Sequence, residues 1–454
     1  MRKIKKCFVL LIVVILCMQM SIYAFSDHWI GINYDRMKKM LYTSDFKVFV
    51  ESGCPEYFWP YYGAKFEPRA GVYLGTPYDK TFPGIQNALN TQYDTFVPSE
   101  ELKNENCPRV YKEEVPSSHE VLWGYNWNFA TKFVDPAEYE NYIKNYIDEL
   151  ASWGQDILLV FGKEMNIDDN FTDPDDYIRM FRYVADYAHT KENIAMVWAP
   201  NDTGSANTTL EMFYPGDEYV DWIGCSLYSF KYFQGYKDHG AATESINICF
   251  IMDDYANPVM RAKVIDEFMR RCNIHKPVMI TEGGVGYEGG RYGGDFRDWA
   301  SMQVRRYYAE IAKVFPQFKI MIHFNNYFEG DFYKYDFYND AGMTELYRLM
   351  TMDPMYLNRY PSVSPVAYPE FYNGLYQGNE IKLSAYAYEP KAEFLEVKYY
   401  VDGVEMYSSM YPPYAYTIDS ETVPYGQHTI RVEKLGGGVL LDAKEYTIDF
   451  APWQ

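Results

Sequence analysis

Between residue 71 and about residue 324 the chain alternates two patterns of apolar and polar positions. Short apolar runs fall at 71–75, 95–97, 121–125, 157–161, 194–198, 222–227, 278–281 and 319–324. Runs of this length bounded by polar or glycine residues read as strands buried on both faces, the signature of a parallel sheet. Between them lie stretches in which apolar residues recur at helical spacing: 136–153, 174–188, 259–272 and 296–314. Tyr177, Met180, Phe181 and Val184 mark the buried face of one such helix. Pro136 and Pro174 each follow an aspartate, an N-cap followed by a proline in the first turn. Eight strands with intervening helices predict an α/β fold of the (β/α)₈ TIM-barrel type, over about 69–360.

The pattern changes near Tyr360. Pro361, Pro365 and Pro369 read as a linker, and alternating strands follow at 381–387, 395–401, 414–418, 428–434 and 443–448. Asp402-Gly403 between two alternating runs predicts a type I′ hairpin turn. Residues 365–454 therefore read as an all-β, immunoglobulin-like sandwich. The expectation is a spacer that adds no catalytic residue, so that a chain ending near 360 would still fold and act. Residues 25–68 read as irregular and aromatic.

Composition narrows the class of partner. Arg2, Lys3, Lys5 and Lys6, an apolar run from Cys7 to Met18 and Ser21-Ile-Tyr-Ala24 predict a signal peptide, residues 1–24, and hence a secreted or cell-surface protein. The whole chain carries −21, and without the leader about −25, which repels nucleic acid and anionic lipid and suits a neutral substrate. After the leader no segment is expected to enter a membrane, and a monomer is expected. Aromatic residues make up 19% of the chain, with 47 tyrosines, an excess suited either to sugar stacking or to filling cores. Five cysteines follow the leader, Cys54, Cys107, Cys225, Cys249 and Cys272, in no zinc spacing; a Cys54–Cys107 disulfide is one possible pairing. The histidines show no metal-binding spacing, so no metal or cofactor is expected.

Two segments carry candidate chemistry. In Leu158-Leu-Val-Phe-Gly-Lys-Glu-Met-Asn166 and Pro277-Val-Met-Ile-Thr-Glu-Gly-Gly284 an apolar run ends in a glutamate. Glu164 and Glu282 thus close the fourth and seventh strands at one barrel rim. Two carboxyls on one rim suit glycosidic bond cleavage: one protonates the leaving oxygen and the other attacks the anomeric carbon. A retaining enzyme needs them about 5–5.5 Å apart, one held neutral and the other ionised.

These segments, with Asn193-Ile-Ala-Met-Val-Trp-Ala-Pro-Asn201, Tyr214-Pro-Gly-Asp-Glu-Tyr-Val-Asp-Trp-Ile-Gly224 and Tyr228, give the sequence a resemblance to glycoside hydrolase family 26 over about residues 65–345. The resemblance implies Glu164 as acid/base, Glu282 as nucleophile and Tyr228 as the group that orients the nucleophile. Trp127 and Trp198 become candidate sugar-stacking platforms. Lys163, Asn166, Asn201 and Asn325 become candidate substrate contacts, while Asp202 either contacts sugar or caps a helix. The chain departs from the family pattern on the rim. Lys163 stands where the family usually has histidine, Ile167-Asp-Asp-Asn-Phe171 replaces a Gly and Trp, and the eighth strand ends in His323-Phe-Asn-Asn-Tyr-Phe328. The implied activity is a secreted retaining endo-β-glycanase on polysaccharide, first of all a β-1,4-mannanase. β-Glucanase, xylanase or exopolysaccharide hydrolase is the alternative on the same scaffold, and a non-catalytic glycan-binding protein is the alternative of another class.

Overall fold

The computed structural model describes residues 40–453 apart from 53–57, 83–84, 97–98, 100–101, 105–121, 130–134, 168–172, 203–207, 232–255, 292, 391 and 393. The expected signal peptide, Cys54, Cys107, Cys249 and most of the 167–171 rim segment lie outside the described residues. Cys225 is buried and Cys272 exposed, and neither forms a disulfide among the described residues.

Strand β1 (Asp45–Val50) precedes the barrel. The barrel strands are β2 (Val72–Pro77), β3 (Leu89–Phe96), β4 (Leu122–Phe129), β5 (Ile157–Phe161), β6 (Ile194–Trp198), β7 (Trp222–Ser229), β8 (Val278–Val285) and, after the two-residue β9 (Glu288–Gly289), β10 (Phe318–Ile322). Neighbours pair in parallel, and β10 pairs with β2, so the sheet closes as the sequence predicts. Strands β5 and β6 lie where the apolar runs put them. Only β3 differs by most of its length, starting at Leu89 instead of Thr95. Its Asn90, Gln92 and Asp94 face the helix side, where Asp94 accepts hydrogen bonds from Tyr125 (3.1 Å) and Tyr146. One polar face removes the continuous apolar run that marks a buried parallel strand.

Helices Glu140–Ser152, Pro174–Ala188, Pro258–Cys272 and Arg297–Ala309 pack outside the sheet. Asp173 accepts from the backbone N–H groups of Asp175 and Asp176 with Pro174 in the first turn, the expected cap. Asp135 caps a short 3₁₀ turn that leads into the first of these helices. Tyr177, Met180, Phe181 and Val184 are buried, as the helical spacing predicts. Inside the barrel Tyr73, Leu89, Leu122, Leu158, Val160, Ala195, Val197, Trp222, Met279, Ile320 and Ile322 form a separate packed cluster. The interior is filled, so substrate access is confined to the rims.

Three short elements follow: β11 (Tyr333–Lys334), pairing with β9, then the helix Ala341–Thr351, then β12 (Tyr356–Leu357), pairing with β2. The remaining strands are β13 (Gly374–Gln377), β14 (Glu380–Tyr388), β15 (Glu396–Val401), β16 (Val404–Ser409), β17 (Tyr416–Asp419), β18 (Gly426–Gly436) and β19 (Val439–Ala451). They form two sheets, β1-β14-β17 and β13-β19-β18-β15-β16. Asp402 and Gly403 have φ of 50° and 81°, the left-handed pair that a type I′ turn requires, and they join β15 to β16 as expected.

The segment before the barrel is not wholly irregular. Strand β1 pairs antiparallel with β14, from Asp45 opposite Tyr388 to Val50 opposite Leu383, and buries Phe46, Val48 and Val50 in the sandwich core. Each such side chain is worth roughly 1.5–3 kcal/mol over exposure. The proline-marked stretch after Tyr360 is not a free spacer either. Trp59 Nε1 donates to the Val366 carbonyl (2.8 Å), and the Ser364 N–H donates to the Ala70 carbonyl (3.0 Å). Val366 and Ala367 share one apolar core with the barrel, as do Tyr386 and Tyr388 of β14.

Candidate active site

Consecutive residues of an extended chain point to opposite faces. After β5 the chain leaves that geometry, because Gly162 (φ 58°) and Glu164 (φ 57°) are both left-handed. A glutamate there is strained, and its N–H is tied to the Ala199 carbonyl (2.8 Å) at the end of β6. The turn gives Lys163 and Glu164 to the same mouth. Across it, β8 carries one residue more than β7: Cys225 faces Ile280, but Ser226 faces Glu282. By strict alternation from the inward Met279, Glu282 would point out to the helices. The bulge at Thr281 turns it inward.

The mouth gathers two carboxyls and their partners. The Lys163 ammonium pairs with Glu282 Oε2 and lies 4.7 Å from the centre of the Tyr93 ring. The Tyr228 hydroxyl donates to Glu282 Oε1 at 2.5 Å. Asn201 Nδ2 donates to Glu164 Oε1 at 2.9 Å. Burial raises the Glu164 carboxyl above the usual range; Lys163 opposes this, and the Glu282 charge adds to it. Burial pushes Glu282 the same way, but the Lys163 charge and polar contacts from Lys163, Tyr228 and Tyr93 outweigh it and hold the carboxyl low. One member is thus biased toward the acid and the other toward the carboxylate, the division a proton donor and a nucleophile require.

The other expected contacts divide. Asn201 reaches the mouth, but Asn166 does not offer itself to a ligand. Its Nδ2 donates to the Asn201 carbonyl (2.7 Å) and its Oδ1 accepts the Asn201 N–H (2.8 Å), a two-point clamp that fixes the residue touching Glu164. Asn325 is fully buried, donating to the Lys80 carbonyl (2.6 Å) and accepting from the Tyr338 N–H (3.2 Å), and so ties loops together. Trp127 and Trp198 are corrections. Both are completely buried on the helix side of the sheet; Trp127 stacks on Tyr146 with centroids 4.2 Å apart, and Trp198 packs on Tyr214 and Phe268. Neither offers a face to sugar. Asp202 forms a buried two-pronged pair with Arg261 Nε and Nη2, both at 2.7 Å.

Sequence reasoning missed Tyr93, because the strand that holds it was placed too late; the alternation Leu89, Thr91, Tyr93 was the available signal. It also missed the layer behind Tyr228. Tyr335 packs against the Tyr228 ring at 4.8 Å and Phe324 meets it edge-on at 6.0 Å. His323 sits behind Tyr335, its imidazole pushed down to about 3 by burial and therefore neutral. The Tyr308 hydroxyl donates to its Nδ1 (2.8 Å), and Nε2 donates to the Tyr335 carbonyl (3.0 Å). Among the described residues no cluster of histidine, cysteine and carboxylate side chains could hold a metal ion, and no helix is long and apolar enough to cross a membrane.

The family comparison falls on this same stretch. Residues 161–288, from the end of β5 past Glu282, match the model of glycosyl hydrolase family 26. The match places a glycoside hydrolase domain on the stretch that holds both carboxyls. Residues 366–432 match the bacterial Ig domain, so the hydrolase is followed by an immunoglobulin-like module. No curated protein matches the chain. Among solved structures it is similar to an endo-β-1,4-mannanase from Thermotoga petrophila, at 10% identity and a TM-score of 0.40 over 86% of this chain and 99% of that one. It is also similar to a family 26 β-mannanase from Bacteroides ovatus, at 14% identity and 0.41 over 64% and 90%. Fibronectin type III-like modules of Clostridium thermocellum align with 18% of the chain and 93% of their own, at 21% identity and 0.17.

Proposed function

We propose that this hydrolase is a secreted, retaining endo-β-glycanase of β-1,4-mannanase type. The observation that carries the reading is the opposite ionisation of two carboxyls at one barrel mouth, Glu164 raised and Glu282 lowered. In this reading Glu164 protonates the leaving oxygen while Glu282 attacks the anomeric carbon. Glu164 then takes a proton from the water that releases the sugar from Glu282. Tyr228 holds the attacking carboxylate in place, and Asn201, fixed by Asn166, does the same for the acid. The Lys163 charge is engaged by Glu282, which favours a neutral polymer over an acidic one. The expected leader at 1–24 supports export, and residues 69–360 are assigned to the catalytic domain.

The test is reducing-sugar release from a panel of β-mannan, lichenan, xylan and bacterial exopolysaccharide, with the anomer of the first product read by NMR. Release from mannan with retained configuration supports the reading. An inverted product defeats the retaining assignment, preference for another polymer moves the substrate, and no release from any polymer leaves a glycan-binding role.

A further inference from the structure

Lys163 holds an unusual position: it is the chain neighbour of Glu164 and the ion-pair partner of Glu282. Left-handed residues on either side of it, Gly162 and Glu164, fix its direction, and the Tyr93 ring packs against its ammonium. The groups facing it are Glu282 from β8, Tyr93 from β3 and Glu164 from its own turn, with the Tyr228 hydroxyl on the far oxygen of Glu282. Lys163 and Glu282 side chains are only 10% and 11% exposed, so water screens their charges weakly.

We propose that Lys163 is a counter-ion shared by both half-reactions, pairing with Glu282 in the resting site and with Glu164 once Glu282 is esterified. This deepens the retaining reading and rests on it. In the first half-reaction a Glu282 oxygen bonds to the anomeric carbon, the bond from that carbon to the leaving oxygen breaks, and the Glu164 proton goes to that oxygen. Glu282 becomes a neutral ester and Glu164 a carboxylate. In the second, water gives a proton to Glu164, its oxygen bonds to the anomeric carbon, and the ester bond to Glu282 breaks. One negative charge therefore crosses the mouth and returns. With Lys163 paired to one seat and next to the other in the chain, the three groups sum to zero in both states, and no half-reaction leaves an unpaired charge in a poorly hydrated site. Lys163 pulls both carboxyls downward, as a shared cation must. It is a positioning residue that acts through the two glutamates.

The test compares the full-length wild-type enzyme with Lys163→Gln and Lys163→Arg. A water-soluble carbodiimide with an amine nucleophile labels protonated carboxyls, and peptide mapping across pH reads Glu282 and Glu164 separately without any substrate. In Lys163→Gln, labelling of Glu282 should extend about 1–3 pH units higher, the usual effect of a nearby opposite charge. The acid limb of kcat/KM on an activated aryl glycoside should move up with it. Single-turnover kinetics should show glycosylation and deglycosylation both slowed, and Lys163→Arg should restore the limb. An unmoved labelling profile and acid limb would overturn the proposal, whatever happens to turnover. So would a slowing confined to glycosylation, since Glu164 would then need no counter-ion. Absence of turnover in the wild-type enzyme on every substrate defeats the glycanase reading instead, while the labelling profile still decides the pairing with Glu282.

Discussion

Both ends of the barrel hold a lysine paired with a glutamate, and the two pairs behave in opposite ways. At the floor Lys319 lies 3.6 Å from Glu67, with both side chains fully buried, and Lys319 also donates to the Pro68 carbonyl. Burial dominates there: it pushes the lysine down to about 8 and raises the glutamate. At the mouth Glu282 is in closer contact with Lys163, accepts from Tyr228 and is held low. Both members of the floor pair are thus pushed toward neutrality, whereas the mouth glutamate is held ionised. The difference lies in the contact distance of the lysine, since Glu67 also accepts backbone N–H bonds from Tyr62 (3.0 Å) and Ala64 (3.2 Å) and burial alone would raise both carboxyls. The floor pair is part of a structural plug; the mouth pair keeps a reactive charge.

The contrast predicts that damage at the floor appears as lost stability and damage at the mouth as lost rate. The largest effect should come from ending the chain near 360. That removes Val366, the acceptor for Trp59, together with the β14 partner of β1. Urea unfolding followed by circular dichroism should then show no cooperative transition; a well-folded truncated protein would mean that the floor closes without the downstream chain. Next, Glu164→Gln should lower kcat on polymer by roughly 10²–10⁴-fold, with an unfolding midpoint like that of the wild type. Lys319→Met should destabilise by about 3–5 kcal/mol, since it leaves one member of a buried pair. Its kcat should stay near normal at temperatures where it is folded, and a large loss of rate would show that floor and mouth are coupled. Tyr228→Phe removes one hydrogen bond to a charge, so turnover should fall roughly 10- to 100-fold, with little change in stability by calorimetry.

A pH-dependent effect should come from a third arrangement, burial without a direct partner. Glu310 lies under the seam between barrel and sandwich, and neither of its oxygens has a hydrogen-bond partner among the described residues. Burial pushes it up to about 8 from an ordinary 4.5, against Arg306 and Lys313. The folded state therefore keeps a proton that the unfolded chain gives up. The contribution to stability is complete below 4.5 and is lost as pH rises through about 8. Glu310→Gln should flatten the decline of unfolding free energy across that window; an unchanged slope would show that Glu310 is already ionised when folded.

What was legible in the sequence follows from how evenly each strand is buried. Strands β5 and β6 are covered on both faces, so their apolar runs gave correct bounds and located Glu164. Strand β3 has a polar outer face, and Tyr93 was lost with it. Strand β1 was invisible because its partner lies more than 300 residues away and nothing local announces a strand added to a distant sheet. The error over Trp127 was avoidable. With a period of two it shares a face with Trp123 and Tyr125, so the sequence already placed it among the helices. The clamp of Asn166 on the Asn201 backbone was not legible, since residue type alone does not separate a group that binds substrate from one that holds its neighbour.

The extra residue in β8 has a consequence for how this site tolerates change. A strand counts its faces in twos, and Thr281 changes the parity between Met279 and Glu282. Deletion of that single residue would leave an unbroken strand and a closed sheet, yet it would turn the carboxylate to the wrong side of the wall. Lys163 would then face an empty place in the mouth, and a carboxylate would be pressed among the apolar side chains beneath the helices. The chemistry of this barrel therefore hangs on an odd number, which a gain or loss of one residue reverses.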